Sequence, residues 1–235
     1  MRNTIPEGDI RVGVLGAFRG KSFAKTAAAS GMKLVAICDN FKHRLDEVCN
    51  ELNVPGYDNF DEFIHQDFDA VVIAAPFHTH AHFAKLALKA GKHVYSAVPM
   101  ATSIEDVKEI VRLVKETGLT YSMGETGIYR PAAIFCREKF ASGEMGDMVY
   151  AEAQYNHDMS SLYDVFKYTE KDQWKKMAGL PPFYYPTHST SMVLSAAKAH
   201  AVKVAAFGYE DKIDTDIFGE GMNYWDNPFS NSSML

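Results

Sequence analysis

Five short strand-like segments, the first three of them apolar runs, recur through the first half of this chain, each separated from the next by a segment of helical spacing, and nothing else in it constrains the fold so tightly. They are Arg11–Leu15, Lys33–Cys38, residues 69–75, His93–Ser96 and residues 119–123. The run 69–75 reads Asp-Ala-Val-Val-Ile-Ala-Ala and has no polar face, the pattern of a strand covered on both sides. Helical spacing fills residues 21–30, 41–52, 79–90 and 102–117. Gly91 stops the third of these. The fourth opens on Thr102-Ser103-Ile104-Glu105, a capping signal with an acid in the first turn, and closes at Gly118. Strands alternating with helices predict an α/β fold, a doubly wound parallel sheet over residues 1–123.

The rhythm changes after Gly124. Residues 132–142 read as a helix ended by Gly143, residues 148–157 alternate like a strand with one exposed face, and residues 203–207 suggest a second strand. The aromatic-rich stretch 163–185 shows few clear elements. Residues 124–235 are therefore expected to form an α+β substrate and oligomerisation domain. Residues 223–235 carry no closing element, so that domain is expected to be truncated.

Composition narrows the function classes. Of 235 residues, 47% are apolar and 23% charged, the balance of a soluble globular protein. A net charge of −6 gives no reason to expect nucleic acid or an anionic membrane as partner. No apolar run approaches the roughly 18 residues a membrane span needs. Residues 1–10 lack the apolar core of a signal peptide. Cys38, Cys49 and Cys136 are odd in number and without metal-type spacing, and read as reduced thiols of a cytoplasmic protein.

The turn after the first run is Gly16-Ala17-Phe18-Arg19-Gly20. A glycine-rich turn between strand and helix lets the backbone approach a pyrophosphate, which then sits on the helix N-terminus. Here Phe18 occupies the second glycine position of Gly-x-Gly-x-x-Gly, and Gly20 comes one residue early. Asp39 ends the second run twenty-three residues after Gly16, near the roughly 20 expected for an acid that binds ribose hydroxyls. Its carboxylate would repel a 2′-phosphate, which favours NAD over NADP, a preference that Lys42 and Arg44 soften. The competing reading of Asp39 is a cap on the following helix. His78, His80 and His82 invite a metal reading, since i and i+4 share a helix face, but no acid or cysteine at matching spacing joins them. No metal is expected.

Residues 91–99 read Gly-Lys-His-Val-Tyr-Ser-Ala-Val-Pro. This turn, strand and Pro-ended loop resembles the Gfo/Idh/MocA family of NAD(P)-dependent, mostly sugar-active enzymes. The resemblance implies a Rossmann-type first domain with Gly16, Phe18, Arg19, Gly20 and Asp39 at the cofactor. It adds Ala75, Pro76 and His80, which match the family's Pro-x-x-x-His loop, and Pro99. Most of the family reads Glu-Lys-Pro, with the lysine moving a proton during hydride transfer. Ala97 and Val98 stand in those places, and a valine cannot transfer a proton.

A second resemblance lies further on. Tyr184-Tyr185-Pro186-Thr187-His188 resembles the Tyr-Pro-Thr-His element of the NAD-dependent α-N-acetylgalactosaminidase branch of that family. Glu125-Thr126-Gly127-Ile128-Tyr129 resembles its Glu-Asn-x-x-Tyr, with Thr126 departing from Asn. Residues 153–158, ending Tyr155-Asn156-His157-Asp158, resemble its strand ending Tyr-x-His-Asp. Together these stretches extend the resemblance over roughly residues 10–210.

Oxidising a carbinol needs a base for the hydroxyl proton and a nicotinamide for the hydride. An imidazole titrates near neutrality, which makes His188 the candidate base. Tyr129 and Tyr185 can relay a proton or bind sugar hydroxyls, and Trp174 or Tyr184 can stack on a sugar face. His157 and Asp158 are a candidate substrate pair. Tyr155, Tyr163 and Tyr168 read rather as packing, and Arg130-Pro131 as the start of a helix. The expected activity is NAD-dependent hydride transfer at a carbinol of a sugar or sugar derivative. One alternative is an NAD-dependent glycoside hydrolase that oxidises transiently, eliminates, adds water and reduces again. Another is a cofactor-binding protein without catalysis. The expected partners are a sugar or glycoside and further copies of the chain, joined through the second domain.

Overall fold

The computed structural model describes residues 10–210 and 224–234, which fall into two compact units meeting in sequence at Gly124 and Glu125. In the first, the strands β1 (Arg11–Leu15), β2 (Lys33–Cys38), β3 (Gly56–Tyr57), β4 (Ala70–Ile73), β5 (His93–Ser96) and β6 (Tyr121–Met123) form one parallel sheet in the order β3-β2-β1-β4-β5-β6. The helices α1 (Gly20–Ala29), α2 (Lys42–Leu52), α3 (Phe60–Ile64), α4 (His80–Lys89) and α5 (Ile104–Thr117) connect them.

Strand side chains alternate between two buried clusters, as a sheet covered on both faces requires. Leu15, Cys38, Val71 and Ile73 join Phe63, Leu88 and Ile110 on one side. Val12, Val14 and Ile37 join Ala24, Leu45 and Val48 on the other. Ser103 caps α5 by accepting from the Asp106 N–H, and Gly118 ends that helix in the left-handed region. The sequence reading overlooked β3 and α3. Two strand residues are too few to show a period, and α3 depends on the Asn59 side chain, which accepts from the N–H groups of Asp61 and Glu62.

The second unit departs further from expectation. Residues 148–157 form no strand. They run as an extended, unpaired segment in which Val149 is 96% exposed. Alternation marks two faces, but a strand also needs a neighbour for its backbone groups, and none of the described residues provides one. The strand expected at 203–207 lies instead at β7 (Ala206–Glu210).

The aromatic stretch is helical, with α7 (Ser160–Glu170) and α8 (Trp174–Ala178) following α6 (Pro131–Ala141). A further helix, α9 (Thr187–Ala197), went unpredicted because Thr and Ser crowd its first turns. The last residues do contain an element. β8 (Phe229–Met234) pairs antiparallel with β7. The expectations for residues 1–9, 223 and 235 lie outside the described residues. No helix among the described residues is long and apolar enough to cross a membrane.

Candidate active site

The first unit places its candidate cofactor residues along the carboxyl edge of the sheet, where the strand order reverses between the paired strands β1 and β4 and ligands of such folds bind. Gly16 turns the chain there with φ +100°, and a Cβ on it would meet the Ala74 carbonyl oxygen at 2.4 Å. Its N–H donates to Cys38 O at 2.7 Å. Gly20 does a different job: a Cβ would lie 2.8 Å from Val14 Cγ1, so it lets α1 pack closely on β1. The first turn of α1 carries no acid and no side-chain cap, which leaves it suited to an anion.

Asp39 is tied to this turn. One carboxylate oxygen accepts from the Ala17 N–H at 2.6 Å and the other from the Phe41 N–H at 2.8 Å. It therefore shapes both the turn and the start of α2, and each oxygen keeps a second lone pair for a ribose hydroxyl. Phe18 is half exposed, with the Arg44 guanidinium 4.6 Å above its ring. Arg19 lies over Phe23 instead. These residues fit a dinucleotide: an open helix start, a backbone a Cβ would block, and an acid at the end of β2.

Ala75 and Pro76 follow β4, and Ala97–Pro99 follow β5. Val98 and Pro99 are buried and joined by a cis peptide. His80 is buried as well, so it meets the loops rather than solvent. Its ring nitrogens lie 2.9 Å from Pro99 O and 2.8 Å from Ala75 O.

The second unit holds a continuous polar chain. His188 on α9 is buried, with Nδ1 2.6 Å from Glu125 Oε1 and Nε2 2.8 Å from the Tyr185 hydroxyl. Glu125 Oε1 also accepts from the Gly127 N–H at 2.5 Å. A Cβ on Gly127 would come within 2.7 Å of His188 O and 2.9 Å of Glu125 Oε1, so only glycine lets the segment after Glu125 approach α9. Tyr155 lies against the imidazole, 4.7 Å between ring centroids.

Burial pushes the Glu125 carboxyl up, but the nearby Thr187 hydroxyl, the Gly127 N–H and His188 together hold it below its ordinary value. Thr187 Oγ1 is itself buried beside this carboxyl. An ionised Glu125 accepts from Nδ1–H, which fixes the imidazole tautomer and leaves the Nε2 lone pair toward the Tyr185 O–H.

The other candidates lie outside this chain. Tyr129 is 68% exposed. His157 is exposed, and Asp158 accepts from the N–H and hydroxyl of Ser160, a local turn that leads into α7. Trp174 packs near Tyr163 with Lys167 and Lys175 over its ring. Tyr184 stands edge-on to Trp225, whose Nε1 donates to Lys176 O. Sequence reasoning missed Glu125 as a site residue and read Tyr155 as packing. The only signal for Glu125 was its place at the head of a motif.

Comparison with known proteins bears on both units. The sequence model of the Gfo/Idh/MocA oxidoreductase family, NAD-binding Rossmann fold, matches residues 10–125. A glycosyl hydrolase family 109 protein of Solibacter usitatus is 27% identical over 205 residues, 80% of this chain and 46% of its own. The scyllo-inositol 2-dehydrogenase (NAD(+)) of Bacillus subtilis is 28% identical over 228 residues, 95% of this chain and 60% of its own. The chain thus spans between about half and three fifths of these relatives' length. The crystal structure of scyllo-inositol dehydrogenase from Lactobacillus casei with NAD(H) and scyllo-inositol superposes with a TM-score of 0.71 at 23% identity, covering 86% of this chain and 60% of the other. Residues 10–125 of this chain thus match the Gfo/Idh/MocA oxidoreductase family and form a domain of its NAD-binding Rossmann kind.

Proposed function

We propose that the protein is an NAD-dependent oxidoreductase acting at a carbinol carbon of a sugar or cyclitol, with the proton handled by Tyr185, His188 and Glu125. Asp39 supports NAD over NADP, because its carboxylate would repel a 2′-phosphate. The bound nicotinamide supplies the hydride acceptor, and the chain's own residues supply everything else. The observation that carries the reading is the capture of both His188 nitrogens, Nδ1 by Glu125 and Nε2 by Tyr185.

With Nδ1–H held by Glu125, the Nε2 lone pair can take the Tyr185 proton as the tyrosine oxygen takes the substrate's hydroxyl proton. Glu125 then stabilises the imidazolium that forms, the division of labour of an acid–imidazole–hydroxyl triad. His188 is the middle of this relay, and Tyr185 is the group that meets substrate. Val98 in the loop Ala97-Val98-Pro99 cannot transfer a proton, so this reading assigns that task to the relay.

The second reading, NAD-dependent glycoside hydrolysis, draws on the Tyr185-Pro186-Thr187-His188 element and the relatives named for that chemistry. The same relay would serve it, with no net redox. Incubation with NAD and a panel of inositols, free sugars and nitrophenyl glycosides separates the two. Accumulating NADH supports the dehydrogenase, and aglycone release without NADH supports the hydrolase. Silence across the panel would favour a non-catalytic cofactor-binding protein.

A further inference from the structure

His80 is a buried titratable group that this chemistry does not use. It is 2% exposed, and its two ring nitrogens face carbonyl oxygens, Pro99 O at 2.9 Å and Ala75 O at 2.8 Å. A neutral imidazole has one N–H and one lone pair, so it can bond only one of these oxygens and turns its lone pair on the other. Only the imidazolium can donate to both.

The two carbonyls lie where they matter. Ala75 follows β4 and Pro99 follows β5, neighbouring strands at the carboxyl edge of the sheet. Gly16, the turn residue of the cofactor site, packs on Ala74 and Ala75 themselves. His80 thus ties the segment supporting that turn to the Pro99 loop.

Burial pushes the His80 ring below its ordinary value, while the carbonyls of Pro99, Ala75 and Ala97 pull it up without fully offsetting the loss. The ionisable side chains on the elements around it are His78 before α4, His82, Lys85 and Lys89 on α4, His93 and Tyr95 on β5, and Glu105, Asp106, Lys108, Glu109, Arg112, Lys115 and Glu116 on α5. Lys85 is paired with Asp106, Glu109 with Arg112, and His93 Nδ1 accepts from the Thr120 N–H. None of them is among the influences that move the His80 ring, which are burial and backbone carbonyls alone. A bound dinucleotide would add negative charge at this edge, which favours a charged imidazole.

We propose that His80 is a positioning residue for the cofactor loops, bonded to one carbonyl as the neutral ring in the free protein and to both as the imidazolium when NAD is bound, so that NAD binding takes up one proton from solvent at His80. The proposal rests on NAD binding by the first unit, which its test measures separately.

NAD binding is followed by calorimetry in buffers of different ionisation enthalpy, across the range of about pH 5 to 8 where histidine titrates. The expected result is proton uptake on binding, with affinity falling toward tenfold per pH unit as pH rises, the limit for one coupled proton. His80→Gln, which cannot gain a proton, should bind NAD with no such slope. Should that variant fail to fold, nitrogen NMR of the wild-type His80 ring decides, with two protonated nitrogens expected in the NAD complex and one in the free protein. Wild-type affinity independent of pH, or a His80 ring with a single proton in both states, would overturn the clamp while leaving NAD binding intact. Absence of NAD binding at every pH would overturn both.

Discussion

His188 Nδ1 lies 2.6 Å from Oε1 of Glu125, across sixty-three residues of sequence. The pair is buried, so neither group can exchange this partner for water without cost. Glu125→Gln keeps the shape and removes the charge. It can no longer stabilise a protonated imidazole, and turnover is expected to fall by roughly 10²–10³-fold, within the range for general acid–base groups. The dependence of kcat/KM on pH checks this. Its limb on the acid side should move, while the affinity for NAD, measured by calorimetry, should not.

The hydroxyl at the other end of the relay makes a sharper distinction. Tyr185→Phe keeps the ring near Tyr155 and His188 and deletes only the O–H. A loss of roughly 10²-fold or more in kcat is expected, with cofactor binding unchanged. Tyr129→Phe, on an exposed ring, should cost far less. Comparable losses from both would assign the proton to some other group.

Gly16 and Gly91 both have positive φ but different surroundings. Gly16→Ala would set a Cβ 2.4 Å from Ala74 O, whereas a Cβ on Gly91 meets nothing within 4 Å. Both pay for the backbone conformation, about 1–3 kcal/mol, and only Gly16→Ala must also move β4's end. Thermal unfolding of the two variants should show the larger loss at Gly16, together with weakened NAD binding there alone.

The role proposed for Asp39 in coenzyme preference is open to direct measurement. Calorimetric titration should give tighter binding of NAD than of NADP, and Asp39→Asn should narrow the gap. The variant should also lose some stability, because an amide nitrogen cannot accept one of the two backbone N–H groups that Asp39 now holds. Tighter NADP binding by the wild type would contradict the role of this carboxylate.

The lowered carboxyl of Glu125 makes a prediction about stability and pH. A carboxylate held below its unfolded value of about 4.3 contributes stability in full above that value and loses it as pH falls through the folded one. Denaturant unfolding should therefore show wild type ahead of Glu125→Gln near neutrality, with the gap shrinking as the solution is acidified. A gap independent of pH would mean that the charge does not stabilise the fold.

Most of the sheet of the first unit was legible because its central strands are short apolar runs, residues 12–15 and Ala70–Ile73 among them, with glycines such as Gly91 and Gly118 closing helices between. The places of Asp39 and Gly16 in the fold were legible for a related reason, since the turn after β1 and the end of β2 fix their separation. The second unit resisted. The alternation at 148–157 predicts a strand only if a neighbour exists, and α9 is hidden by Thr187, Ser189, Thr190 and Ser191, poor helix formers held by tertiary contacts. His188 was singled out through its motif, but its pairing with Glu125 comes from folding, not spacing. Trp174 and Tyr184 look alike in sequence as sugar platforms, and only packing shows that lysines cover one while Trp225 meets the other.

The most direct test is NADH absorbance from wild type and Tyr185→Phe in parallel, with NAD and a panel of inositols and free sugars. The account predicts NADH from at least one polyol with the wild type, and a rate at least roughly a hundredfold lower with the variant. Equal rates from the two proteins would contradict the relay, and no NADH from any polyol would contradict the dehydrogenase reading itself.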